Sequence, residues 1–283
     1  MEIKRGLIME GGAMRGMFTC GVTDVLMENG IEFDGAAGIS AGAAFGCNIK
    51  SGQPGRAIRY NKTYSKDPRY CSLRSLIKTG DLYGAEFCYK TLPFELDLWD
   101  TAAFAKNPME FYVGATDALS GDIVFHKCSD GGENDIAWMR ASASMPVVSR
   151  PVIIDGRPYL DGGITCAVPY EYMESLGYNR NLIILTQEKG YRKAPQKGSA
   201  VFKRLLSKYP KTGFAMEARH VMYNRQMDEI DAREAAGTSF IIRPPKSLEI
   251  KRTETDPAEL ERVYQIGRTE AEKQLPALKE FLY

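Results

Sequence analysis

The chain has 283 residues, 44% of them hydrophobic and 26% charged, which is enough to bury a large core and too apolar for a disordered or collagen-like protein. Lys and Arg number 37 against 36 Asp and Glu, so a net charge of +1 offers no global field toward nucleic acid. Six cysteines without a CxxC pair, and only two histidines (His126 and His220), argue against zinc ribbons, thioredoxin-like redox motifs and His-rich metal sites.

Ile3 to Met9 reads as a strand and Arg15 to Asn29 as a helix, with Met17, Phe18, Val22, Val25 and Leu26 at helical spacing. A second strand follows from Phe33 to Ile39, then a small-residue helix from Ala41 to Lys50. Tyr60 to Phe104 is irregular, rich in Leu, Tyr and Phe, and reads as a cap outside the sheet. Further strands are expected at Glu110–Thr116, Ile123–His126, Leu182–Thr186 and Ser239–Ile242. Helices are expected near Asp135–Ala143, Pro169–Leu176 and Phe214–Ala235, and from Pro257 onward. Strands alternating with helices predict an α/β layered sheet. No repeat, linker or composition break divides the chain, so residues 1–283 are expected to form a single domain. The N-terminal apolar run is shorter than the roughly seven residues of a signal-peptide core. The longest charge-free stretch, Gly35–Ile49, falls short of the ~20 residues of a membrane helix. The cysteines then read as reduced, packed thiols, and the expected location is cytoplasmic.

Three segments look chemical. Glu10-Gly11-Gly12-Ala13-Met14-Arg15-Gly16 is a glycine-rich turn between the first strand and first helix, whose exposed N–H groups suit an anion. A nucleotide phosphate, a dinucleotide pyrophosphate or an oxyanion would fit there, and so would a turn that merely packs tightly. Asp34 lies where a ribose-binding acid would stand, but the turn is neither a Walker loop nor G-x-G-x-x-G. Gly38-Ile39-Ser40-Ala41-Gly42 is a G-x-S-x-G at a strand-to-helix turn, which pushes a serine side chain into solvent and aims the Ala41 N–H at a reacting carbonyl. Asp161-Gly162-Gly163 reads as a plain turn or as the general base that a nucleophilic serine needs.

Together and in this order, the three motifs resemble the patatin-like phospholipase family, with Arg140-Ala141-Ser142-Ala143-Ser144-Met145-Pro146 similar to its segment before the aspartate. The resemblance spans about residues 3 to 170. It implies a three-layer α/β/α fold with a central, mostly parallel sheet, and a Ser40–Asp161 dyad without histidine. It further implies an oxyanion hole at Gly11, Gly12 and Ala13 with Arg15 adding positive charge, no metal or cofactor, and lipid or lysophospholipid esters as substrates. One departure is Ala13, where the family has a third loop glycine.

A Ser–His–Asp α/β-hydrolase using His220 is the nearest rival, but that fold places more strands before its nucleophile than precede Ser40 here. A lipid- or acyl-binding protein without catalysis is another. The acid-free basic stretch from Lys189 to Lys211 carries Val201, Phe202, Leu205, Leu206 and Tyr209 on one helical face. It reads as a core-docked helix with a solvated face, or as a peripheral contact with anionic membrane through Lys203, Arg204 and Lys208.

Overall fold

The computed structural model describes residues 2–195, 202, 204 and 206–283. In chain order the strands are β1 (Arg5–Met9), β2 (Gly35–Ile39), β3 (Glu110–Asp117), β4 (Ile123–Cys128), β5 (Val152–Ile154), β6 (Arg157–Asp161), β7 (Arg180–Ile184) and β8 (Ser239–Ile242). The helices are α1 (Gly16–Glu28), α2 (Ala41–Lys50), α3 (Arg56–Tyr64), α4 (Leu73–Thr79), α5 (Thr101–Lys106), α6 (Glu133–Ser142), α7 (Tyr170–Ser175), α8 (Pro210–Ala235) and α9 (Pro257–Leu282). The sheet runs β5-β6-β3-β2-β1-β7-β8, with β4 on the other edge of β3. The five neighbouring strands β3, β2, β1, β7 and β8 are mutually parallel; β4 and β6 pair antiparallel with β3, and β5 pairs antiparallel with β6.

The parallel centre reads as near-continuous apolar sequence because both faces are covered. Along β1, Leu7 and Met9 join a core with Phe18 and Leu26 of α1 and Val263 of α9. Ile8, one residue out of phase, joins Tyr170 and Met173 of α7 and Tyr223 and Ile230 of α8. The α/β/α layering and mostly parallel sheet therefore stand as expected. Helices α1 and α9 cross at backbone contact: a Cβ on Gly21 would meet the Tyr264 carbonyl, and one on Gly267 the Phe18 carbonyl.

Helix α2 and strand β8 fall on the expected residues. Strand β7 begins two residues earlier than the apolar run suggests, because Arg180 and Asn181 pair with Arg5 and Gly6. Its far end gives up Leu185 and Thr186, and Thr186 turns to a different use described below. Helix α8 begins at Pro210, as proline suits a first helical turn. The β5–β6 hairpin was not anticipated, although Asp155-Gly156 between two short apolar runs is a hairpin signal. Both residues sit at positive φ, 48° and 75°. The 60–104 segment lies outside the sheet, as expected, but is built largely of helical pieces: α4, a π-type helix Phe87–Leu96 containing Pro93, and α5. All six cysteines are free thiols. Among the described residues no helix is long and apolar enough to cross a membrane.

Candidate active site

Strand β3 acts as the ruler of the site. On one edge it pairs first with β2, ending at Ile39 opposite Gly114, and then with β6, beginning at Asp161 opposite Ala115. The residue after β2 and the last residue of β6 are thereby brought to adjacent register positions. Ser40 Oγ donates to Asp161 Oδ2 at 2.8 Å.

Ser40 occupies φ 54°, ψ −117°, a backbone conformation that costs a non-glycine residue about 1–3 kcal/mol. The surroundings enforce it. Its N–H donates to Ser142 Oγ at 2.8 Å, and that hydroxyl donates to the Gly114 carbonyl at 2.6 Å. Both glycines of the motif are demanded by close approach: a Cβ on Gly42 would lie 2.4 Å from the Met9 carbonyl oxygen, and one on Gly38 2.3 Å from that of Gly42.

The glycine-rich turn packs onto this elbow, with a Cβ on Gly11 falling 2.9 Å from the Ser40 Cβ. Glu10, fully buried, anchors the turn from below by accepting the Thr186 N–H (2.6 Å), the Thr186 hydroxyl (3.1 Å) and the Tyr223 hydroxyl (2.9 Å). Among the described residues, the N–H groups of Gly11, Gly12, Ala13 and Ala41 donate to no protein acceptor. Ala13 adopts φ 49°, the left-handed region that glycine takes without strain, so the alanine keeps the turn's shape at about 1 kcal/mol.

Asp161 is buried, its Oδ1 accepting the Gly163 N–H at 2.7 Å. Burial raises its carboxyl pKa above the usual value, opposed by the charge of Arg219 and by the bonds from Ser40 and Gly163. Arg219 reaches over from α8 and its Nε donates to the Gly163 carbonyl at 2.5 Å.

An apolar cavity of about 160 Å³ opens at Ser40, Ala13 and Met14. Its far walls come from the 60–104 segment: Tyr60, Tyr70, Tyr83, Leu92, Pro93 and Trp99. The cap expected from sequence is thus the wall of the cavity.

Ser142, Thr186, Tyr223 and Arg219 escaped the sequence reading as site residues. Only Ser142 had left a signal, inside the stretch before Pro146. Neither histidine bonds to Ser40 or Asp161. His220 Nδ1 lies 3.0 Å from the Glu217 carbonyl on its own helix, while His126 bonds Asp135 at 2.7 Å and stacks on Trp138. His126, Cys128 and Asp135 bring donor atoms within 4.8 Å of one another, the kind of set that could hold a metal. The Asp135 carboxylate there is already shared between His126 and the N–H groups of Ser129, Asp130 and Gly131. In the basic stretch, Leu206 is buried, and Phe202 and Tyr209 pack on Leu160, Ile164 and Met216. These three cover the core; Arg204 and Lys208 are exposed, and Val201, Lys203 and Leu205 lie outside the described residues.

The profile of the patatin-like phospholipase family matches residues 7–173, and a domain of unknown function (DUF6363) matches 209–283. Protein YjjU of Escherichia coli K12, itself uncharacterised, is 31% identical over 188 residues, covering 64% of this chain and 51% of that one. A lysophospholipase, NTE1 of Lodderomyces elongisporus, is 23% identical over 306 residues, covering 98% of this chain and 20% of that one. VipD of Legionella pneumophila superposes with a TM-score of 0.49 at 11% identity, covering 98% of this chain and 67% of that one. The chain spans about half the length of YjjU and of the mycobacterial NTE-family proteins it also matches. With the family profile covering more than half of its length, this chain belongs to the patatin-like phospholipase family.

Proposed function

We propose that the protein is a serine acyl hydrolase that cleaves carboxylic esters of lipid-like substrates, phospholipid or lysophospholipid acyl chains in particular. The observation that carries this reading is the 2.8 Å bond between Ser40 Oγ and the buried Asp161, on a strained elbow at the mouth of an apolar cavity. Ser40 Oγ attacks the ester carbonyl while Asp161 takes its proton. The resulting oxyanion is met by the unpartnered N–H groups of Gly11, Gly12 and Ala13, with Arg15 adding charge. The ester C–O bond then breaks, and Asp161 returns the proton to the departing alcohol. Water attacks the acyl-enzyme in the second half, giving one proton to Asp161; the acyl C–Oγ bond breaks, the fatty acid leaves, and Asp161 returns the proton to Ser40 Oγ. A carboxylate is a weak base, and the raised pKa of Asp161 brings it nearer to that task.

Ser40 and Asp161 bond directly with no imidazole between them, which favours a dyad over the His220 triad. Strand β8, from the 209–283 segment, pairs with β7 of the same sheet, which supports residues 1–283 working as one unit. The protein would act in the cytoplasm, with peripheral contact to lipid. Exposed Arg204 and Lys208, together with Lys203, would supply charge. Helix α4 buries none of its residues and exposes Leu73 and Ile77 beside Arg74 and Lys78, just ahead of the cavity residues Asp81 and Tyr83. A fluorophosphonate probe tests the chemistry: it should label Ser40, and mass analysis of products from a phospholipid panel should show released fatty acid. Labelling elsewhere, or none with intact fold, would return the protein to a binding role.

A further inference from the structure

Four basic side chains lie near the dyad, and little balances them. Arg15 ends the glycine-rich turn, Lys193 lies in the loop after β7, Arg219 on α8 and Arg252 just before α9. Arg219, Arg15 and Arg252 all lie close enough to Lys193 to disfavour its charged form. With burial as the larger cause, they bring its ammonium down to about 7. Among the described residues none of the four forms an ion pair, and Arg15 Nε is buried without a partner. Lys193 Nζ rests 3.9 Å over the Tyr223 ring. Two acids whose charge acts on the cluster are already engaged, Glu10 by Thr186 and Tyr223 and Asp161 by Ser40 and Gly163. Arg15, Lys193 and Arg219 are half-buried and Arg252 is exposed at their edge; like charges held this close together and partly desolvated are costly unless an anion completes them.

We propose that Arg15, Lys193, Arg219 and Arg252 form a subsite for a phosphate group carried by the substrate next to the scissile ester. The inference rests on the hydrolase reading above and narrows it. Lys193, Arg219 and Arg252 do not line the apolar cavity, which leaves it to the acyl chain; the Arg252 carbonyl, bonded by the Met14 N–H and the Tyr83 hydroxyl, puts the charged group at the cavity's edge. Two of the four come from the 209–283 segment, whose contribution to the site no motif announces. With Glu10 and Asp161 engaged, neither receives a choline ammonium. A terminal phosphate monoester suits the subsite better than phosphocholine, and both suit it better than a neutral glycerol.

The experiment compares 1-acyl-glycerol 3-phosphate, its phosphocholine ester and the matching monoacylglycerol with wild type, Lys193→Gln and Arg252→Gln. Wild type should favour the phosphate monoester over monoacylglycerol by at least tenfold in kcat/KM, with the phosphocholine ester between them. Each variant should shrink that ratio severalfold, mainly through KM. Equal kcat/KM on all three substrates would overturn the subsite while leaving the hydrolase intact, as would variants that lower all three alike. A binding arm uses Ser40→Ala in calorimetry at pH 8, where a lysine with pKa about 7 is mostly neutral. Binding of the phosphate monoester should take up a proton, and Ser40→Ala/Lys193→Gln should lose that uptake. Binding with uptake but no hydrolysis by wild type would sink the hydrolase and keep the subsite; no binding at all would sink both. Inorganic phosphate, titrated in parallel, should bind at least tenfold more weakly than the lipid. Equal affinity would overturn the headgroup assignment.

Discussion

Ser40 and Asp161, 121 positions apart in the chain, meet because β2 and β6 share one edge of β3. Ile39 is held opposite Gly114 and Asp161 opposite Ala115, so the separation of the two side chains is set by one step of β3. Ser142 ties the same point again, bridging the Ser40 N–H to the Gly114 carbonyl. A geometry pinned by two ladders and a hydroxyl bridge needs no ligand to assemble it.

Removing either member of the pair should nearly abolish ester hydrolysis. Ser40→Ala and Asp161→Asn are each expected to lower kcat by at least about a thousandfold, since nucleophile and base act as a unit. Turnover near wild type in Asp161→Asn would remove the aspartate from the mechanism.

The raised pKa of Asp161 has a thermodynamic counterpart. The folded protein holds this proton more tightly than the unfolded chain, whose carboxyl titrates near ~3.9. Stability is therefore lost as pH rises from that value through the folded-state pKa. Asp161→Asn should melt at the same or a higher temperature than wild type at pH 7. A clear drop in Tm would contradict the assignment of burial as the dominant cause.

In the wild type, kcat/KM should fall on the acid side through the same ionisation, since only the carboxylate accepts the Ser40 proton. The acid limb should lie above the ordinary aspartate range. A limb at or below pH 4 would mean that Asp161 is not the titrating base.

Ser142→Ala should separate positioning from chemistry. It leaves the Ser40 N–H and the Gly114 carbonyl without their bridge, a loss of about 1–3 kcal/mol. The expected kinetic signature is a lower kcat with KM nearly unchanged, restored in large part by Ser142→Thr. An equal loss in Ser142→Thr would point to packing instead of the hydroxyl.

At the elbow, Gly42→Ala should cost more than about 2 kcal/mol, because the new methyl would meet the Met9 carbonyl oxygen 2.4 Å away. Ala13→Gly should do the opposite, relieving left-handed strain worth about 1 kcal/mol, offset in part by a floppier unfolded chain. Denaturant melts of both variants decide; a tolerated Gly42→Ala would refute the close-approach argument.

The local patterns were legible from the chain alone because they rest on local physics. Apolar runs marked β1, β2, β3 and β8, helical spacing marked α1, small residues marked α2, and the three motifs stood at strand ends where side chains can reach a site. The hairpin Asp155-Gly156 was readable too, but two three-to-five-residue strands leave little periodicity beside the turn. What the tertiary structure decided is which distant pieces share a point in space. The register of β2 and β6 on β3, the use of Thr186 and Tyr223 to anchor Glu10, and the arrival of Arg219 and Arg252 near the dyad are all long-range contacts. No spacing along the chain encodes them, because each depends on how whole layers pack. The 60–104 segment shows the same division: its composition marked it as a cap outside the sheet, and only its folding against α2 and α6 made it the wall of a cavity that opens on Ser40.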